Sequence, residues 1–278
     1  MIRSLLYVPA SSERFVAKAA ERGADAIVLD LEDAVAPSEK IAARSKLGET
    51  VPTVGKNGAV VFVRINSEPE RLRADAEAAV HAGAFGLLVP KSRDPKALRE
   101  LAGWLAPLEK GRKATALVPM IEDPGAVLDA RAIATATPRV FAMLTGGEDL
   151  ATALGGDPTP EVLTVPKLLV HYAAKAAGVL SWGLLRTVAD YNDLTGIEKS
   201  AREARAHGID GATCVHPAVV PVLNKAFSAS AEELNHARRL VAAYEKAHAS
   251  GLGAVEFEGK MIDEPVAQRA RALLKRNS

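Results

Sequence analysis

A chain of 278 residues, 48% of them hydrophobic, is long enough to bury a full core as one α/β barrel. Its 35 Lys and Arg against 34 Asp and Glu leave a formal net charge of +1, which argues against electrostatic capture of nucleic acid or of an anionic membrane. The single cysteine, Cys214, excludes an internal disulfide and fits a reducing compartment.

The N-terminus, MIRSLLYVPASSERF, carries too short an apolar segment for a secretory signal. The stretch LLVHYAAKAAGVLSWGLL is broken by His171 and Lys175 and makes a poor membrane span. A cytoplasmic protein is expected. In chain order, SLLYVP (4–9) predicts a first strand, followed by a helix in SSERFVAKAAERG. AIVLDLE (26–32) and AVVFVRIN (59–66) predict the next two strands, and PERLRADAEAAVHAG the helix after them. FGLLVPK (85–91), TALVPMIE (115–122), VFAMLTGG (140–147) and VLSWGLL (179–185) follow, then the helix DLTGIEKSAREARAHG and an eighth strand, GATCVHP (211–217).

Strands so uniformly apolar belong to a parallel sheet covered on both faces, and several of the helical stretches end in the glycine that commonly stops a helix. Eight strand-then-helix units predict a (β/α)₈ TIM barrel over residues 1–229, in preference to an open doubly wound sheet, which would carry a Gly-rich first turn. Two further helices are expected at about 230–249 and 264–275. The segment joining them, SGLGAVEFEGKMIDEP, is too long for a simple barrel connection. Residues 230–278 are therefore read as a C-terminal helical extension and lid, not an independent domain.

The run AIVLDLEDAV at 26–35 ends by placing Asp30, Glu32 and Asp33 together, and buried carboxylates are costly unless paired or bound. In a barrel of this type, chemistry sits at the C-terminal ends of the strands. Those ends deliver Glu32 and Asp33, Arg64 and Asn66, Lys91, Glu122, the run Gly146–Gly147–Glu148–Asp149, and His216. Their convergence on one rim points to a site.

Glu122 and Asp149 follow consecutive strands and, without Cys or paired His, suit a hard divalent cation such as Mg²⁺ or Mn²⁺. Helix capping is the competing explanation, because Asp123–Pro124 and Asp149 stand where helices begin. Arg64 has the fork to hold a substrate carboxylate, or else it neutralises Glu32 or Asp33. Gly146–Gly147 admits close approach of backbone to a ligand, or is a plain turn. His216 reads as a satisfied supporting or core histidine, Cys214 as an inert core thiol, and the tail RARALLKRNS as a solvated helix face.

Taken together, LLYVPASSERFVAKAAERGADAIVLDLEDAV, VRIN, LLVPK, the Glu of MIEDPGAV, GGEDLATALG, HP followed by NKAF, and EGKMIDEPV resemble the citrate lyase beta-subunit family in order along nearly the whole chain. That family includes malyl-CoA and citramalyl-CoA lyases and lies in the HpcH/HpaI aldolase superfamily. The resemblance implies a Mg²⁺-dependent, usually trimeric barrel that cleaves or forms 3-hydroxyacyl thioesters, yielding an acyl-CoA and a 2-oxo acid. It implies Glu122 and Asp149 as metal ligands, Arg64 as the grip on the oxo-acid carboxylate, and Glu32 and Asp33 as the acidic pair ordering water and Arg64. Gly147 joins the substrate-binding set. Asp263, in GKMIDEP, matches a lid aspartate that acts in a neighbouring subunit's site and is the expected proton-transfer group. Two positions depart from the pattern: Lys167 stands where many relatives carry Arg, and Trp182 where relatives carry Asp. Alternatives within the same resemblance are a subunit acting on a carrier-protein thioester and a malyl-CoA-type thioesterase.

Overall fold

The computed structural model describes residues 1–276. Eight parallel strands, β1 (Ser4–Pro9), β2 (Ala26–Asp30), β3 (Val60–Arg64), β4 (Gly86–Val89), β5 (Ala116–Ile121), β6 (Ala142–Thr145), β7 (Leu180–Trp182) and β8 (Ala212–Cys214), pair in the order β7-β6-β5-β4-β3-β2-β1-β8. The edges β7 and β8 meet through a parallel bridge between Trp182 and Gly211, reinforced by Gly183 N–H donating to the Gly211 carbonyl at 2.9 Å. The barrel is thereby nearly closed, with helices on its outer face, as the strand-then-helix alternation predicts.

Alternate residues of each strand divide the apolar content into two layers. Leu5, Val28, Phe62, Leu88, Val118, Met120, Leu144 and Trp182 fill the interior. Leu6, Ile27, Leu29, Val63, Leu87, Leu117 and Ile121 join the larger core shared with the surrounding helices. Both faces are covered, which is why the strand sequences carry so little polar alternation. Phe62 meets Phe85 and Trp182 edge-on, with centroids at 5.3 and 5.7 Å, so the interior is a packed aromatic plug rather than a channel.

The hydrogen-bonded strands are shorter than the apolar runs, for local reasons. At β2 the Asp30 carboxylate accepts from the Glu32 and Ala34 amides (2.9 and 3.1 Å), turning the chain out of the sheet. At β7 Gly183 adopts φ 151, and the carbonyls of Leu184 and Arg186 accept from Lys167 instead of from a ladder partner.

Residues Ile2–Phe227 form one compact unit, and the segment from Ser228 onward, with Met1, forms a second. In the second unit a capping box between Ser230 and Glu233 opens the helix Ala231–Ala249. The long connecting segment folds as a hairpin, β9 (Ala254–Phe257) and β10 (Lys260–Asp263), turning through left-handed Glu258 and Gly259. The helix Glu264–Arg276 follows, and Leu240, Tyr244, Ile262 and Ala267 form a small core. These paired strands account for a segment too long for a simple barrel connection. The basic tail is helical to Arg276; Asn277 and Ser278 lie outside the described residues. Among the described residues no helix is long and apolar enough to cross a membrane.

Candidate active site

The site begins with a charge imbalance at the ends of β2 and β3. Asp30 and Arg64 are paired residues of adjacent strands, and both project from the ladder at the barrel mouth. Arg64 Nε and Nη2 donate to the two oxygens of Asp30 at 2.7 and 2.6 Å, a bidentate pair. Arg64 Nη1 donates to Asp33 at 3.0 Å and lies 3.0 Å from Glu32 Oε2. Glu32 is buried, and its Oε1 has no hydrogen-bond partner among the described residues, with Lys91 Nζ still 3.8 Å away. Burial pushes its carboxyl up to about 7; Arg64 opposes the shift, while Asp33 and Glu122 add to it.

Across the mouth, Glu122 leaves β5 and packs against the β6 turn. Its Oε2 accepts the Lys91 amide at 2.7 Å, and that backbone is held by Lys91 in the left-handed region at φ 50. Only glycine at position 146 leaves the Glu122 carboxylate where it stands, because a Cβ there would lie 2.5 Å from Oε1. Burial pushes Glu122 up to about 7, with the Asp149 charge adding and the Lys91 amide opposing. Asp149 lies in the first turn of the helix Gly147–Leu154, but that helix has no side-chain cap, and Asp149 has no hydrogen-bond partner among the described residues. Capping therefore explains Asp123, whose Oδ1 accepts from Ala126 at 3.0 Å, and does not explain Asp149.

Asp30, Asp33, Arg64, Glu122, Gly147 and Asp149 line one cavity of about 420 Å³, whose inner wall is Tyr7, Met120, Leu144 and Trp182. Glu32 stands behind Arg64. Asp263 belongs to the second unit, at the end of β10, where its Oδ1 accepts from Val266 N–H at 3.3 Å. A larger cavity, about 570 Å³, lies between the helices Pro69–His81 and Pro95–Leu105, but it gathers no such ring of carboxylates around an arginine.

Other expected residues have structural work. Asn66 is buried, donating to Leu31 and Asp75 and accepting from Lys40. His216 is exposed, not a core residue: its Nδ1 accepts from Ala218 at 3.2 Å and its ring stacks on Tyr191 at 4.9 Å. Cys214 is buried, and burial lifts its thiol to about 12. Lys167 is buried at the cavity wall, and burial lowers its ammonium to about 8 against the opposing charge of Glu148. Two residues at the heart of the site were not expected there: Asp30 as the main partner of Arg64, and Tyr7 beneath it. Strand parity carries the signal, since Tyr7 alternates with inward Leu5, and Asp30 with Ala26 and Val28.

The donor set fits a hard divalent cation. It is all oxygen, one carboxylate is buried and hard to keep charged alone, and the other has no protein partner. Among the described residues no cluster of three or more His, Cys, Asp or Glu forms a closed cage, so a cation held by Glu122 and Asp149 would draw its remaining oxygens from water and substrate.

Comparison with known proteins agrees with this geometry. The model of the HpcH/HpaI aldolase/citrate lyase family matches residues 3–217. The chain is 36% identical over 280 residues to (3S)-malyl-CoA thioesterase of Cereibacter sphaeroides, covering 98% of this chain and 93% of the relative. It is 32% identical over 281 residues to citrate lyase subunit beta of Escherichia coli, with 99% and 92% covered, and 30% identical over 285 residues to mitochondrial citramalyl-CoA lyase of Homo sapiens, with 97% and 83% covered. The crystal structure of CitE from Mycobacterium tuberculosis in complex with magnesium, acetoacetate and coenzyme A superposes with a TM-score of 0.82 at 33% identity, over 99% of this chain and 97% of that one. The eight-stranded barrel, its carboxylate-lined mouth and these full-length likenesses agree: the chain belongs to the HpcH/HpaI aldolase/citrate lyase family.

Proposed function

We propose that this protein is a Mg²⁺-dependent carbon–carbon lyase that cleaves or forms a 3-hydroxyacyl-CoA of the malyl, citramalyl or citryl type, giving an acyl-CoA and a 2-oxo acid. The observation that carries the reading is that the Glu122–Asp149 carboxylate pair and the Arg64 guanidinium line one cavity. Glu122 and Asp149 hold the metal; when bound, Mg²⁺ (Mn²⁺ in its place) supplies charge that polarises the oxo-acid carbonyl. Arg64, locked by Asp30, Glu32 and Asp33, presents fixed positive charge to the oxo-acid carboxylate, and the Gly147 backbone borders the substrate. In cleavage, a base takes the proton of the 3-hydroxyl, the bond between the hydroxyl carbon and the thioester α-carbon breaks, and the resulting thioester enolate is protonated to the acyl-CoA.

Asp263 is assigned to proton transfer. It lies on a 230–278 extension that acts as a lid over a neighbouring subunit's site in a homotrimer, and the enzyme works in the cytoplasm. Incubating malyl-, citramalyl- and citryl-CoA with Mg²⁺ tests the reading: oxo acid and acyl-CoA appear together. Absence of turnover with all of them, in cleavage and condensation alike, refutes it.

The 36% identity to a malyl-CoA thioesterase favours one second reading, in which the net reaction is hydrolysis of the thioester to free CoA and a hydroxy acid. Free thiol released without oxo acid would support that outcome. Action on a carrier-protein thioester, suggested by the likeness to citrate lyase subunit beta, would instead show as turnover only when the acyl group is carrier-bound.

A further inference from the structure

Arg64 is nearly used up by its own chain. A guanidinium has five N–H groups. Nε and one Nη2 hydrogen are engaged by Asp30, Nη1 donates to Asp33, and Nη1 also faces Glu32 at 3.0 Å. One Nη2 hydrogen remains that faces no carboxylate. A two-point grip on a carboxylate needs two donors, so the expected bidentate fork from Arg64 alone is closed.

Tyr7 offers a second donor from the wall of the same cavity. It alternates with inward-facing Leu5 on β1, packs against the interior cluster and lines the same cavity as Arg64, Glu122 and Asp149. The Arg64 guanidinium carbon lies over its ring, 5.1 Å from the centroid. Its hydroxyl has no hydrogen-bond partner among the described residues. A phenol ordinarily keeps its proton up to about pH 10, and burial pushes Tyr7 higher still, so at neutral pH it can donate to an anion. Packing alone would be served equally by phenylalanine; the hydroxyl is the part that needs an explanation.

We propose that the Tyr7 hydroxyl is a second donor to the carboxylate of the bound oxo acid, completing the grip of which Arg64 supplies one N–H. This rests on the lyase reading above. Because the carboxylate keeps its charge and bonding through the reaction, a hydrogen bond to it is felt equally in ground and transition states, and the effect belongs in binding rather than in turnover.

Tyr7→Phe tests it, since it keeps the ring and its contact with Arg64 and deletes only the hydroxyl. Affinity for pyruvate and for glyoxylate is measured by calorimetry at saturating Mg²⁺, and condensation kinetics with acetyl-CoA are measured alongside. The expected result is an oxo-acid Kd and KM raised about 10-fold, with kcat within about twofold of wild type. Fluorotyrosine at position 7, which retains the hydroxyl, restores binding and controls for any loss of folding. An unchanged Kd in Tyr7→Phe overturns the proposal. So does a fall in kcat at constant KM, which would place the hydroxyl on a reacting oxygen. A wild type that binds neither oxo acid would overturn the lyase reading itself, a separate and distinguishable failure.

Discussion

At the residue scale, Gly146 and Glu122 are two halves of one device. The absent side chain at 146 makes the space that the Glu122 carboxylate occupies, so the geometry of a candidate metal ligand is written into a glycine just past the end of the next strand. Gly146→Ala puts a Cβ 2.5 Å from Oε1 and must displace the carboxylate. Calorimetric Mg²⁺ affinity should fall at least 10-fold, with the barrel's circular dichroism unchanged, because position 146 lies at the mouth and its φ of −76° suits alanine. An unaltered affinity would remove Glu122 from the metal site.

At the scale of elements, the segment after β7 is held by a side chain from another helix. Lys167, on the helix Pro160–Ala176, donates to the carbonyls of Leu184 and Arg186 at 2.9 and 2.7 Å, while Thr187 donates to Glu148 beside Asp149. Lys167→Met fills similar volume and leaves both carbonyls without their donor, a cost of about 2 kcal/mol. Urea unfolding should show this as a lower midpoint with an unchanged slope.

The elements themselves were legible because strand runs covered on both faces are continuously apolar, and the helices Glu13–Ala19 and Leu194–Ala206 run toward glycines found left-handed at 23 and 208. Tyr7 was not, nor was the pairing of Asp30, one of the three carboxylates at the end of β2, with Arg64. The direction of a residue still in the ladder is fixed by parity and not by residue type. The β9–β10 hairpin was missed for a similar reason: its turn is Glu-Gly, a weaker signal than Asn-Gly or Asp-Gly, although Glu258 adopts the left-handed conformation all the same. The roles of Lys167 and Trp182 depend on which face of the barrel wall each side chain takes, which spacing alone does not give.

At the scale of the whole molecule, stability and pH are linked through the two buried glutamates. Glu32 and Glu122 are each raised from the ordinary 4.5 to about 7, so the folded chain binds these protons more tightly than the unfolded one. Their contribution is fully present below about 4.5 and is lost as pH rises through 7. In chelator, the melting temperature should therefore fall by several degrees between pH 6 and 8. Added Mg²⁺ should restore more at pH 8 than at pH 6, since protons compete for the same oxygens. Scanning calorimetry at the two pH values, with and without Mg²⁺, measures both effects.

The wall of the 420 Å³ cavity carries Asp30, Asp33, Glu122, Glu148 and Asp149 against only Arg64 and Lys167. An oxo acid and a coenzyme thioester are both anions, so the vestibule repels its own cargo until a divalent ion has entered. That imposes an itinerary, cation first and anion second, and the two should bind synergistically. Titrating pyruvate at stepped Mg²⁺ concentrations should show its apparent affinity climbing with the metal, and equal affinity in chelator would refute the sequence of entry.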